Sequence, residues 1–81
     1  MTYGEERALA SGTYWVEDEV QLNGDHLVHA ESCVHLPRYE SRTALGTHAD
    51  CWDALEHAKL YYNQVNGCRY CSRGCHVALD S

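Results

Sequence analysis

The sequence predicts a small α+β domain in which a β-hairpin and a short strand pack on one main helix, followed by a Cys-x-x-Cys knuckle. Three observations predict this fold. Two extended segments flank a strong turn, a later segment has helical periodicity, and a short-spaced pair of Cys or His residues lies on each side of that segment. At 81 residues the chain holds one domain, which we place at 13–81, after a flexible leader at 1–12.

The hairpin is predicted over roughly residues 14–30. Residues 13–16 are aromatic and β-branched, and residues 20–22 alternate apolar with polar side chains; both patterns are typical of strands. Asn-Gly-Asp at 23–25 predicts a tight turn, after which the chain resumes an extended pattern. The second strand therefore ends at His29.

A third short strand and the main helix follow a polar loop. Residues 43–45 are predicted to form the strand. Thr47 with Asp50 has the spacing of a capping box, which predicts that the helix begins there. The helix should run for about four turns and end at Asn66-Gly67. Its apolar positions recur at helical spacing and are Cys51, Ala54, Leu55, Ala58, Tyr61 and Tyr62.

The core that this chain can build is thin. Its large aliphatic residues are eight Leu and six Val, with no Ile and no Phe, so both Trp and several Tyr are expected inside. Burial in so small a domain barely offsets an ordering entropy of roughly 1.5 kcal/mol per residue. Such a domain commonly needs a disulfide, a metal ion or a partner subunit, which draws attention to its five Cys and six His.

Two short-spaced pairs of soft donors predict one tetrahedral metal site: His29 with Cys33, and Cys68 with Cys71. Gly67, directly before the second pair, can take backbone angles that other residues avoid, which would suit a tight turn. The helix between the pairs returns the chain so that the second pair faces the first. A zinc ion there would join the two ends of the segment between the pairs and stabilise the thin core.

Three further residues compete for the site. Cys75 and His76 follow the second pair closely enough to complete a metal site without the hairpin. Cys51 lies on the apolar side of the predicted helix, where a small core residue is the simpler interpretation, although it could also bind metal or pair with Cys75. A framework made only of disulfides fits less well, because five cysteines is an odd number.

The chain is acidic, with a net charge of −6 at pH 7, but residues 57–81 are locally basic. Arg69, Tyr70 and Arg73 lie beside the second pair and form the surface where we expect an unknown protein partner, through an acidic peptide or a phosphate. Nucleic acid is weakly supported, because three thiolates around a divalent ion cancel much of the local positive charge. We expect a monomer.

The sequence predicts a cytoplasmic location. No signal-peptide pattern precedes the acidic start at Glu5-Glu6, and no apolar run approaches the length of a membrane span. In a reducing compartment, closely spaced cysteines serve more often as metal ligands or redox groups than as structural disulfides.

The order of motifs resembles the small metal-binding module of the Ada DNA-repair methyltransferases. The likeness covers roughly residues 26–72. It consists of His29-x-x-x-Cys33, a short strand, an Ala-rich helix and Gly67-Cys68-x-x-Cys71. The resemblance implies a few strands and helices around one zinc ion, with the metal ligands at His29, Cys33, Cys68 and Cys71.

One position departs from that family in a way that bears on activity. In the repair proteins the first ligand position is the cysteine that accepts a methyl group from a phosphotriester. This chain has His29 there, which offers no thiolate to alkylate, so the resemblance implies that methyl transfer is absent. Relatives with histidine at this position look like structural zinc modules.

The expected function is that of a structural zinc-binding domain acting as an interaction module, and not an enzyme, because four protein ligands leave no position for a reactive water. The alternative is a thiol redox protein that uses Cys68, Cys71 and Cys75, with Arg69 lowering a thiol pKa. A zinc hydrolase with Glu31 as proton carrier would need a pocket that so short a chain has little material to build.

Overall fold

In the computed structural model, which describes residues 12–77, one α-helix packs against one face of a four-stranded mixed sheet. The predicted α+β class is therefore confirmed. The predicted leader lies outside the described residues except for Gly12, which begins the first strand. The elements are strands β1 (Gly12–Glu17), β2 (His26–Ala30), β3 (Arg42–His48) and β4 (Val65–Gly67), and helix α1 (Cys51–Ala58).

The strand order β3-β1-β2-β4 decides where the two Cys/His pairs meet. Strand β1 pairs antiparallel with both β2 and β3, whereas β4 pairs parallel with β2. Because β2 and β4 run in the same direction, their carboxyl ends lie side by side, with Val28 opposite Gly67. The chain leaves both strands at this edge, close to the two pairs.

The segment between β1 and β2 is a structured loop rather than continued strand. Residues 20–22, predicted as extended, lie outside both strands. The side-chain oxygen of Asn23 accepts the backbone N–H of Asp25 at 2.9 Å, and Gly24 has a positive φ of 97°. The Asp25 carboxylate in turn accepts an N–H of Gln64 at 2.8 Å, which ties the loop to the chain before β4. These hydrogen bonds stabilise a loop, whereas the weak alternation at residues 20–22 had predicted a strand.

Helix α1 begins at Cys51, three residues later than a capping box at Thr47 predicts, and it is half the predicted length. Asp50 is the N-cap, and its carboxylate accepts the backbone N–H of Asp53 at 2.9 Å. Thr47, predicted to share the capping box, lies within β3 instead. The helix ends at Ala58 after eight residues. Within residues 12–77, no helix is long and apolar enough to cross a membrane.

Tertiary contacts explain the early end of α1. The Tyr62 hydroxyl donates a hydrogen bond to Asp18 at 2.8 Å, and its ring stacks on His26 at 3.7 Å between centroids. These contacts draw the chain away from the helical path and back to the sheet. The predicted helix end at Asn66-Gly67 is consequently part of β4, which pairs with β2.

The core lies between α1 and the sheet, and it excludes the tryptophans. The buried side of α1 is formed by Ala54, Leu55 and Ala58, and Trp52 lies on the other side of the helix. Trp52 is 54% exposed, and Trp15 is half-buried on the opposite face beneath the Arg42 guanidinium. The expectation that both Trp lie inside was wrong. The buried cluster is Tyr14, Val16, Val28, Leu45, Ala54, Leu55, Ala58 and Cys75.

A disulfide joins Cys51, at the start of α1, to Cys75, in the short 3₁₀ turn Arg73–Cys75. Their Cα atoms are 6.2 Å apart, and Cys75 is buried. The bridge resolves the two interpretations left open for Cys51: it is a half-buried residue packed against the core, and it pairs with Cys75.

We expect the double variant Cys51→Ala/Cys75→Ala to lose about 3 kcal/mol of stability, because the bridge closes a loop with a sequence separation of 24. It should still bind one metal ion per chain. Chemical denaturation in the presence of excess zinc measures the first effect, and native mass spectrometry measures the second. A variant that folds but takes up no metal would show that one of these cysteines contributes to the metal site.

Candidate metal centre

The four predicted ligands converge on the sheet face opposite α1. Alternation along β2 buries Val28 toward the helix and directs His29 to the other face, where its side chain is only 1% exposed. Cys33 follows β2 in a turn, and its backbone N–H donates to Ala30 at 3.0 Å. Cys68 follows β4 directly. The ligand atoms of His29, Cys33, Cys68 and Cys71 all lie within 4.8 Å of one another.

The distances between these atoms fit a shared ion. The sulfurs of Cys33 and Cys68 are 3.9 Å apart, and the sulfur of Cys71 is 4.0 Å from Nδ1 of His29. Two sulfurs on one tetrahedral zinc lie roughly 3.8 Å apart, given metal–sulfur bonds near 2.3 Å. Two sulfurs joined in a disulfide lie only about 2 Å apart. The group can therefore hold a metal ion without large movement.

Each of the three sulfurs also accepts a backbone N–H. The donors are His35 to Cys33 at 3.4 Å, Tyr70 to Cys68 at 3.4 Å and Ala30 to Cys71 at 3.2 Å. Such bonds stabilise the charged form of the acceptor, here the thiolate that binds metal. The backbone around the group is therefore arranged for sulfur anions.

The turns that begin at Cys33 and at Cys68 are built alike. In 33–35 and in 68–70, the residue two positions after the first cysteine donates its N–H back to that cysteine's sulfur. The side chains of those two donors, His35 and Tyr70, stack on each other with centroids 4.2 Å apart. The two turns thus contact each other through these rings.

Gly67 is needed for close packing rather than for an unusual backbone angle. Its φ is not positive, contrary to the expectation from the sequence. A Cβ at this position would lie 2.9 Å from the carbonyl oxygen of Ser72 and 3.0 Å from Cβ of Cys75. The absence of a side chain lets the tail fold back over β4, which brings the disulfide and the second knuckle together.

Burial raises the pKa of the Cys71 thiol from 9.0 to about 12, and the neighbouring thiols Cys33 and Cys68 act in the same direction. The Ala30 N–H and the Ser72 hydroxyl oppose this shift only in part. Three clustered thiols do not ionise together without a cation to balance them. The chemistry of the donor set therefore fits a bound divalent ion.

Metal uptake should consequently release protons. At pH 7.5 the Cys71 thiol of the metal-free protein is protonated, since its pKa lies near 12, and binding must displace that proton. Affinity should rise about tenfold per pH unit for each displaced proton.

Calorimetric titration with zinc in buffers of different ionisation enthalpy counts the released protons. Release of at least one proton per zinc ion is the expected result. No dependence of the measured heat on the buffer would contradict protonated thiols in the metal-free site.

The competing ligands lie outside the group. Cys51 and Cys75 are bonded to each other, so neither thiol is free to bind metal in this structure. Nδ1 of His76 forms a hydrogen bond at 2.8 Å with the Gly67 carbonyl. The structure thus does not bring Cys51, Cys75 or His76 to the metal group.

Glu17 is a site residue that sequence reasoning missed. Its carboxylate accepts a hydrogen bond at 2.6 Å from Nε2 of His29. The available signal was strand alternation: Trp15 pairs with His29 across β1 and β2, and Glu17 lies on the same face two residues on. Glu31, considered as a proton carrier, instead accepts the Trp15 indole N–H at 3.2 Å.

The predicted partner surface lies on the outer side of the second knuckle. Arg69, Tyr70 and Arg73 are all exposed. Neither arginine forms a salt bridge with any residue in the part of the chain that the structure describes. Their charges are therefore free to meet groups from outside.

The fold and the site define a small α+β domain with a His/Cys group that could hold a metal ion. Comparison with family models, with curated proteins and with solved structures finds no match to this chain. The functional conclusion therefore rests on the chain's own residues.

Proposed function

We propose that this protein is a structural zinc-binding domain whose outer surface binds a protein partner. Its metal ligands are His29, Cys33, Cys68 and Cys71. The observation that carries the proposal is the convergence of these four ligand atoms within 4.8 Å, with a backbone N–H directed at every sulfur. One imidazole and three thiolates form a soft, tetrahedral donor set that suits zinc better than magnesium or calcium.

A structural role is favoured over a catalytic one. Four protein ligands complete a tetrahedral zinc site and leave no position for a bound water. His29 and Cys68 are 1% and 2% exposed, and Cys33 and Cys71 are half-buried. We therefore propose that the protein is not an enzyme.

Zinc binding would compensate for the thin core. The ion would join the end of β2 to the segment after β4, and these are far apart in sequence. Structural zinc supplies roughly 10–16 kcal/mol in small zinc-dependent domains, which is as large as the net stability of many whole domains. The Cys51–Cys75 disulfide adds a second link on the helix side of the sheet.

Cobalt substitution tests the proposed site. Co²⁺ in place of zinc should give the strong visible bands of a tetrahedral centre and a sulfur-to-metal charge-transfer intensity that corresponds to three thiolates. Addition of azide should leave the spectrum unchanged, because no coordination position is open. Weak octahedral bands, or bands that shift with azide, would contradict a closed structural site.

The partner surface is proposed to be Arg69, Tyr70 and Arg73. Arg69 and Tyr70 border an open cleft of about 420 Å³ that reaches His29 and Cys68. Arg69 and Arg73 form no salt bridge within residues 12–77, which favours an acidic peptide of an otherwise unknown protein partner. Nucleic acid is a weaker proposal because the chain carries a net charge of −6. We propose that the chain itself is monomeric.

Kinship with the Ada metal-binding module remains part of this proposal. The convergence of His29-x-x-x-Cys33 with Cys68-x-x-Cys71 supports it. The proposal also keeps the absence of methyl transfer, because a histidine stands where the repair proteins carry their acceptor cysteine.

A thiol redox role has less support. Redox cysteines have lowered pKa values, whereas burial raises the pKa of Cys71 to about 12. The proposed resolving thiol, Cys75, is bonded to Cys51.

A cytoplasmic location is likewise proposed, and it requires the buried Cys51–Cys75 bridge to resist or survive reduction there. Alkylation of free thiols in a fresh cell lysate, followed by mass spectrometry, shows the state of this bridge. Alkylation of Cys51 and Cys75 without prior reduction would show that they are thiols in the cell.

A further inference from the structure

Glu17 is not one of the four ligands, yet its carboxylate contacts one of them. Its Oε2 atom is 2.6 Å from Nε2 of His29. The other nitrogen of the same ring, Nδ1, is 4.0 Å from the sulfur of Cys71. The His29 ring therefore lies between the Glu17 carboxylate and the Cys71 sulfur.

This placement fixes which ring nitrogen carries the proton. An ionised carboxylate only accepts hydrogen bonds, so Nε2 must carry the hydrogen that it donates to Glu17. In the neutral ring the lone pair then lies on Nδ1, which points at the sulfurs. The nitrogen that faces the metal group is thus the one able to bind a cation.

The fold holds Glu17 in this position from two sides. Trp15 pairs with His29 across the two strands, and alternation along β1 places Glu17 on the same face. Nε2 of Gln21 donates a hydrogen bond at 2.8 Å to Oε1 of Glu17, which leaves Oε2 for His29. Glu17 is 14% exposed and His29 is 1% exposed, so little water competes for their hydrogen bond.

We propose that Glu17 is a positioning residue for the metal site: it orients His29, selects Nδ1 as the metal-binding nitrogen and makes the imidazole a stronger donor. The inference rests on the proposed zinc function and adds to the site a carboxylate that contacts a ligand rather than the metal. Removing such partners of a metal-bound histidine typically weakens metal affinity by about 10- to 100-fold. The carboxylate also adds negative charge beside the thiolates, which favours a divalent over a monovalent cation.

An ordinary ion pair between Glu17 and a doubly protonated His29 would show the same 2.6 Å contact. In that case both ring nitrogens carry protons and His29 binds no metal. A change at Glu17 would then alter the stability of the fold without acting on the metal through His29. The two interpretations differ in what happens when His29 is already absent.

The experiment compares Glu17→Ala and Glu17→Gln with the control Glu19→Ala, an exposed carboxylate two residues along the chain. Zinc affinity is measured by competition with a chromophoric chelator at fixed pH. Glu17→Ala should raise the dissociation constant about 10- to 100-fold. Glu17→Gln should raise it less, because the amide oxygen still accepts the Nε2 hydrogen. Glu19→Ala should stay within about twofold of the unmodified protein, as expected for an exposed side chain.

Two further measurements distinguish positioning from general stabilisation. In a His29→Ala background, Glu17→Ala should have no additional effect on zinc affinity, because the carboxylate acts through the ring. Nitrogen-15 NMR of the zinc-loaded protein should show Nδ1 of His29 bound to metal and Nε2 protonated. Glu17→Gln, which keeps the shape of the side chain, provides the comparison if Glu17→Ala fails to fold.

Equal affinities for the Glu17→Gln, Glu17→Ala and Glu19→Ala proteins would overturn this inference, as would metal bound at Nε2 of His29. Both results would leave the zinc site itself in place. Failure of the unmodified protein to take up zinc in the same titration would overturn the proposed function, and this inference with it.

Discussion

Replacing Cys71 with serine is expected to abolish zinc uptake and unfold the domain. The hydroxyl of serine does not ionise near neutral pH, so the site loses one of its three thiolates. Structural zinc in small domains is worth roughly 10–16 kcal/mol, and the net stability of a domain is about 5–15 kcal/mol. Loss of even a third of the metal contribution exceeds what this thin core can absorb.

The measurement pairs elemental analysis of the purified variant with circular dichroism during heating. We expect less than roughly one-tenth of a zinc ion per chain and no cooperative thermal transition. The matched control is Cys51→Ala/Cys75→Ala, which removes two sulfurs outside the metal group and should keep one zinc ion. A Cys71→Ser protein that retains one zinc ion and the original melting temperature would contradict the assigned ligand set.

Replacing His29 with alanine is expected to weaken zinc binding by roughly 100-fold or more, because one of four ligands is lost. The change also leaves the Glu17 carboxylate, which is 14% exposed, without the hydrogen bond from His29. Competition with a chromophoric chelator measures the loss. Three thiolates remain, so some zinc binding should persist, whereas the Cys71→Ser variant should bind none.

His76→Ala is the matched comparison, because it removes the rival histidine near the second pair. In the structure, Nδ1 of His76 forms a hydrogen bond with the Gly67 carbonyl. Loss of that bond should cost about 1 kcal/mol of stability and leave zinc affinity unchanged. The reverse pattern, with His76 needed for zinc and His29 dispensable, would transfer the fourth ligand to the tail.

The parts of the fold that sequence reasoning predicted are those that local signals specify. The helical spacing of apolar residues predicted the helix that includes Cys51–Ala58, and the strand that carries His29 ends where its extended pattern ends. The short spacing within each Cys/His pair likewise indicated which residues share a turn. In each case, neighbours along the chain carry the information.

The parts that it missed depend on contacts between distant segments. The helix ends early because Tyr62 bonds to Asp18 across the domain, and β4 forms because β2 offers a parallel edge. Trp52 is exposed because the side of α1 that packs on the sheet is formed by Ala54, Leu55 and Ala58.

The Glu17 contact depends on strand pairing, which composition and spacing do not reveal. Trp15 and His29 lie opposite each other only once β1 and β2 are paired, and the carboxylate reaches the ring from that register. The Cys51–Cys75 bridge likewise depends on the packing of the tail against α1, which the spacing of the cysteines does not reveal.

Native mass spectrometry of freshly purified protein, before and after treatment with a strong chelator, tests the central claim most directly. The account predicts the mass of one zinc ion per chain before chelation. After chelation we expect loss of that mass together with a broad charge-state distribution that marks unfolding. A narrow distribution from a fully folded protein that carries no metal, in either sample, would contradict a fold clamped by zinc.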